Sequence, residues 1–79
     1  MRGEASSTRS IKLRQLLAEA RTAKGLKQTE LAKQLGRPQS FVSNYERGER
    51  RLGVVEFIDI AEALELDPAT VVEKLSASD

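Results

Sequence analysis

Between Gln28 and Arg47 the chain carries Gln28, Gln39, Ser40, Ser43 and Asn44, side chains that both donate and accept hydrogen bonds. The polar row Gln39, Ser40, Ser43, Asn44 and Arg47 contains no acid. Amides and hydroxyls presented together match the donor and acceptor pattern of base edges, whereas Lys27, Arg37, Arg47, Arg50 and Arg51 around them offer charge for phosphates. Other chemistry is poorly provided for. The 79 residues include no histidine and no cysteine, which removes the imidazole base, the thiol nucleophile, the usual metal ligands and any disulfide. Glu62 and Glu65 read as an acidic helical face and not as a placed acid–base pair, and there is no glycine-rich phosphate loop. The expectation is a binding protein without cofactor or metal, not an enzyme.

Two short helices must hold that row. In the first, from Gln28 to about Leu35, Leu31, Ala32 and Leu35 are apolar at i, i+1 and i+4. In the second, from about Gln39 to Arg47, Phe41, Val42 and Tyr45 repeat the offset. Burying these residues turns Gln39, Ser40, Ser43 and Asn44 to the opposite face. Gly36 closes the first of these helices and Pro38 opens the second. Upstream, Ser10 is the expected N-cap of a helix running to about Lys24. Its inward residues are Leu13, Leu16, Leu17 and Ala20, with Arg14, Glu19 and Lys24 facing water and Gly25 ending it. Downstream, Gly53 precedes a helix over Val54 to about Leu64, with Phe57, Ile58, Ala61 and Leu64 inward and Glu56 set as in a capping box. Asp67-Pro68 starts a last helix to about Leu75, using Val71, Val72 and Leu75. No strand pattern, repeat or low-complexity segment occurs. The sequence predicts an all-α domain of five short helices over 10–75, a flexible arm over 1–9 bearing Arg2 and Arg9, and a tail over 76–79.

The net charge of +1 conceals an asymmetry. Residues 1–53 hold 12 Lys or Arg against 5 Asp or Glu, and residues 54–79 hold 1 Lys against 7 acids. A basic portion followed by an acidic one predicts one side that faces nucleic acid and one that avoids it. No apolar run approaches the ~20 residues that span a bilayer, and no signal-peptide pattern is present, so a cytoplasmic, nucleoid-associated protein is expected.

The run GLKQTELAKQLGRPQSFVSNYERGERR, followed by EFIDIAEALELDPATVVEKL, resembles the Xre family, the helix-turn-helix domain of phage repressors and Cro. The likeness covers about residues 11–75. Several features agree in register: Gln28, Glu30-Leu31-Ala32, Leu35-Gly36, Val42-Ser43, Glu46, Gly48, Ile60-Ala61 and Ala63-Leu64. Three positions depart from the family pattern. Lys27 and Gly53 replace small polar caps, and Pro38 stands where Ser or Thr is common, at an expected cost of about 0.5–2 kcal/mol per missing cap.

The resemblance implies a compact lambda-repressor-like fold, with the second helix across a DNA backbone and the third in the major groove. It implies base contacts from Gln39, Ser40, Asn44 and Ser43. It implies phosphate contacts from Gln28, Lys27, Arg37, Arg47, Arg50 and Arg51, with Gln28 also bracing Gln39. It further implies an ion pair between Arg21 and Glu46 that fixes the third helix to the first. The function so implied is a sequence-specific regulator of transcription on double-stranded DNA, a repressor or autoregulator. It would act as a homodimer on a palindromic site, with Val54, Val55, Thr70 and Val71 as candidate dimer residues. The alternative on the same fold is an antitoxin or other protein-interaction module holding a toxin or co-regulator.

Overall fold

The computed structural model describes residues 7–77 and places five α-helices among them, with no strand: α1 (Thr8–Ala23), α2 (Gln28–Leu35), α3 (Gln39–Glu46), α4 (Val54–Ala63) and α5 (Pro68–Ser76). The all-α, five-helix expectation therefore holds. Residues 1–6 of the expected arm, Arg2 included, and residues 78–79 of the expected tail lie outside the described residues.

Helix α1 starts earlier than the sequence predicts. Ser7, not Ser10, is the N-cap, and its Oγ accepts the Ser10 N–H at 3.1 Å. Either serine can cap. Capping at Ser7 lets the Ile11 N–H reach the Ser7 carbonyl at 3.0 Å and adds most of a turn, which draws Thr8 and Arg9 into the helix. Arg9 then reaches the Ser76 carbonyl at 3.4 Å and ties the start of α1 to the end of α5.

The two departures from small polar caps are compensated from the other direction. Lys27 offers α2 no side-chain cap, but Glu30 accepts the Lys27 N–H at 2.8 Å. Gly53 has no side chain to offer α4, and Glu56 accepts its N–H at 3.0 Å. Each acid also sits in the positive first turn of its helix. Pro38 is the N-cap of α3, with φ −69° and ψ 156°, and the helix runs from Gln39 as expected. Asp67 caps α5 as expected, accepting the Ala69 N–H at 3.1 Å.

The α2–α3 turn depends on Gly36. At φ +69° it lets its own N–H reach the Lys33 carbonyl and the Arg37 N–H reach the Ala32 carbonyl at 2.9 Å. The chain reverses within a few residues and α3 can pack across α2. Helix α4 ends with the same hydrogen bonds around Glu65, a left-handed residue with φ 61° where glycine would be easier.

Leu17, Leu31, Val42, Tyr45 and Ile60 are fully buried, and Ala32, Phe41, Phe57, Ala61, Leu64 and Val71 complete the core. Each buried Leu or Ile contributes about 1.5–3 kcal/mol by leaving water. Phe41 and Tyr45 meet edge to face at 5.6 Å, so the aromatics are core residues as expected. Leu13, Leu16, Ala20, Leu35, Ile58 and Leu75 pack around the core partly buried. The expected inward stripe of α4 was incomplete. Ile60, which lies between Phe57 and Leu64 at i+3 and i−4, is the residue at its centre. On α5 the adjacent valines divide: Val71 is buried and Val72 is half exposed. No helix among the described residues is long and apolar enough to cross a membrane.

Candidate nucleic-acid interface

Helix α3 packs against both α1 and α2, and this double contact determines which of its polar residues stay outside. Gln39 and Ser40 are exposed, and Asn44 is half-buried. Ser43 is not part of the exposed row, because its residual exposure is only 9%. A reading that assigns a helix one covered face puts Ser43 in solvent. A helix covered by two neighbours buries a wider arc.

A connected set of hydrogen bonds runs from α1 to the exposed start of α3. The Arg21 guanidinium donates to Glu46 through Nε at 2.7 Å and Nη2 at 3.1 Å, and through Nη1 to the Leu26 carbonyl at 2.7 Å. The two side chains are only 13% and 9% exposed, so the expected ion pair is present and mostly desolvated. Hydrogen bonding to Glu46 pushes the Arg21 pKa above its ordinary value, against the opposing effect of burial. Gln28 Nε2 donates to the same carboxylate at 2.9 Å, and Gln39 Nε2 donates to Gln28 Oε1 at 2.8 Å. Helices α1, α2 and α3 thus meet at one carboxylate, and the bracing of Gln39 by Gln28 is seen directly.

The expected phosphate-facing cations divide into groups. Lys27 is exposed at the start of α2. Arg47 holds Asn44 Oδ1 at 2.8 Å and pairs with Glu49 at 3.1 Å. Arg37 and Arg50 both turn to Glu56, Arg37 at 3.1 Å, and both guanidinium groups lie over the Phe41 ring, at 4.5 and 4.9 Å from its centre. The Gly53 N–H is the largest cause holding the Glu56 carboxyl below the usual carboxylate range. Partial burial opposes it, and Arg37 and Arg50 add to it. Sequence reasoning identified Glu56 as a capping acid but not as the partner of two arginines. Its position three residues after Gly53 signals the first role only.

Arg51 lines a cavity of about 130 Å³ with Ser10, Leu13, Arg14, Tyr45, Gly48, Arg50 and Leu52. Arg14, expected to face water, is half-buried there. Its guanidinium lies over Gly48, which is left-handed at φ +79° and has no Cβ to obstruct it. The Tyr45 hydroxyl is buried beside this cavity with no hydrogen-bond partner among the described residues, and burial is the main cause that pushes its pKa up. No sequence signal marked this junction, because Arg14 and Gly48 are distant along the chain.

Two short helices crossing at a glycine turn, with amides exposed on the second, define the class: a helix-turn-helix protein whose exposed helix is built for hydrogen bonding. A helix-turn-helix family model matches residues 17–71. Among solved structures, an XRE-family-like protein from Pseudomonas syringae pv. tomato str. DC3000 is 52% identical. That match covers 87% of this chain and 84% of that one, with a TM-score of 0.83. The restriction-modification controller protein C.AhdI from Aeromonas hydrophila is 40% identical over 78% of this chain and 90% of that one, with a TM-score of 0.72. The controller protein C.Esp1396I, solved as a tetramer with its natural 35 base-pair operator, is 25% identical. It covers 90% of this chain and 93% of that one, at a TM-score of 0.78. No curated protein sequence matches. The chain belongs to the Xre-type helix-turn-helix family of DNA-binding transcription regulators.

Proposed function

We propose that this protein binds double-stranded DNA at specific sequences as a homodimer and regulates transcription from a palindromic operator, acting in the cytoplasm. The observation that carries the proposal is the exposed Gln39 amide at the start of α3, held by Gln28 on α2 and through it by the buried Glu46. In this reading α2 crosses the backbone and α3 enters the major groove. Gln39 and Ser40 meet base edges. Asn44, whose Oδ1 is taken by Arg47, reads through its amide N–H groups. Ser43 has no such role. Lys27, Gln28, Arg37, Arg47, Arg50 and Arg51 serve phosphates, and Arg37 and Arg50 are released from Glu56 when they do. The two controller proteins support the reading, one of them solved on its operator.

The dimer forms through α4 and α5, on the acidic portion of the chain. Val54 and Val55 support this, being 74% and 70% exposed, with Val72 half exposed. Val71 is excluded from that surface by its burial. Selection of bound duplexes from a random pool, at several salt concentrations, tests the whole reading. A palindromic motif is expected, with a salt slope that falls by about 0.9 for each phosphate-contacting cation removed. Recovery of no motif defeats it. Recovery of an asymmetric motif with a single-subunit footprint defeats the dimer.

A further inference from the structure

The hydrogen bonds between Glu46 and Gln39 have a direction, and that direction determines what Gln39 can offer to DNA. A carboxylate has oxygens only and can only accept. Glu46 takes three bonds from Arg21 and Gln28, so Gln28 must turn its amide nitrogen inward, as the 2.9 Å contact from Nε2 records. The opposite orientation would set two acceptor oxygens against each other. With Nε2 inward, Gln28 Oε1 faces outward and accepts, so Gln39 must turn its own Nε2 to it, at 2.8 Å. Gln39 Oε1 remains, directed to the exposed side. One buried charge thereby fixes the orientation of two amides in series.

We propose that Glu46 is a specificity-determining positioning residue. By orienting Gln28 it makes Gln39 present a carbonyl acceptor, so the base at that position carries an exocyclic amine, adenine or cytosine. Adenine is preferred over cytosine because the second hydrogen on Gln39 Nε2 can also reach N7. Guanine and thymine show O6 and O4 there and are disfavoured. This inference rests on the proposed reading in which Gln39 meets a base edge.

The chemistry gives Glu46→Gln a distinctive outcome on an Arg21→Met background. Glu46 Oε1 accepts from both Gln28 Nε2 and Arg21 Nη2, so in the single variant Arg21 would still hold an oxygen at that position. With Arg21→Met in place that restraint is gone, the neutral carboxamide can offer Gln28 its oxygen or its nitrogen, and Gln28 and Gln39 lose their fixed orientation. Arg21→Met removes the ion pair but leaves an acceptor-only carboxylate beside Gln28, so the orientation survives.

The test measures affinities of the full-length protein for duplexes of the selected motif that differ only at the base pair whose preference Gln39→Ala abolishes. Thermal melts by circular dichroism report folding. Wild type and Arg21→Met should both prefer adenine over guanine there, by about five- to hundred-fold. Arg21→Met/Glu46→Gln should bring that ratio close to one while preferences at other positions stay. An unchanged ratio in the double variant overturns the inference. Gln28→Leu, a change at a half-buried position that frees Gln39 to rotate, provides a second test if the double variant does not fold. It should bring the ratio close to one, and an unchanged ratio overturns the inference equally. If Gln39→Ala alters no base preference, the assignment of Gln39 as a reader fails, and the inference with it.

Discussion

Two carboxylates hold arginines across elements, one in the seam between α1 and α3 with Arg21 and one at the corner where α4 begins with Arg37 and Arg50. Glu46 lies in the seam, 9% exposed, and holds Arg21 and Gln28. Glu56 lies at the corner, 22% exposed, and holds Arg37, Arg50 and the Gly53 N–H. Each accepts three hydrogen bonds, so a count of hydrogen bonds would rank them alike. Their surroundings do not. In the seam, water cannot replace a lost partner, and the pair acts as a structural joint whose orientation reaches Gln39. At the corner, water and salt compete at every contact, and phosphates can compete as well. Burial makes one acid a positioning device and leaves the other as an adjustable restraint on two cations.

The largest expected effect tests the seam. Arg21→Met should destabilise the fold by about 3 kcal/mol, because Glu46 would keep a desolvated charge with only Gln28 as partner. Adding Glu46→Gln removes that stranded charge and should recover part of the loss. A double-mutant cycle from urea melts measures the coupling. Additive losses would mean that Arg21 and Glu46 act as independent surface charges, and the contrast between the two acids would collapse.

Next in size is a glycine in the same seam. Gly48→Ala should cost about 1–2 kcal/mol from its left-handed backbone alone. The new Cβ would also come within 2.6–2.9 Å of the Arg14 guanidinium, which must move. Gly36 has a similar φ with open space where its Cβ would go, so Gly36→Ala carries the backbone cost only. The difference between the two melting temperatures isolates the packing of Arg14. Equal shifts would show that Arg14 moves aside freely and that the seam is no tighter than the open turn.

A smaller effect of opposite sign is expected at Tyr45. Its hydroxyl is buried with no hydrogen-bond partner among the described residues, so Tyr45→Phe removes an unmet polar group and keeps the ring against Phe41. Stability should stay level or rise by up to about 1 kcal/mol in a thermal melt. A loss above that would mean that the hydroxyl is satisfied in solution, and the seam would then depend on one more polar contact.

What the sequence disclosed follows the range over which each signal acts. The helix-turn-helix was legible because Leu31, Ala32 and Leu35 and then Phe41, Val42 and Tyr45 repeat a local period around Gly36. The Arg21–Glu46 pair came from the family resemblance and not from spacing, since nothing local relates residues so far apart. Ser43 was misjudged because a helical period assigns one covered face, whereas α3 meets two neighbours. The sequence points to Ser10 as the cap of α1 because it stands just before the apolar stripe, and the packed helix instead starts a few residues earlier, at Ser7. The Arg37–Glu56–Arg50 cluster and the position of Arg14 over Gly48 arise from loop geometry, which leaves no periodic trace.

The smallest stability effect is expected at the corner, and there stability and binding should part. Glu56→Gln keeps an oxygen for the Gly53 N–H and loses charge toward Arg37 and Arg50, so the fold should weaken by less than about 1 kcal/mol near neutral pH. The sign of the pH dependence follows from the lowered pKa of Glu56. A carboxyl whose pKa is depressed by folding contributes stability above its unfolded pKa, and this is lost as pH falls through the folded value. Wild type and Glu56→Gln should therefore differ most at neutral pH and converge below the usual carboxylate range. DNA affinity should move the other way. With Glu56 neutral, two guanidinium groups are free to face phosphates and one repelling charge is gone, so binding should tighten by a few-fold, more at low salt than at high. Fluorescence anisotropy across a salt series checks this. Weaker binding would mean that Glu56 holds Arg37 and Arg50 in the geometry that phosphates require, making it a positioning acid like Glu46.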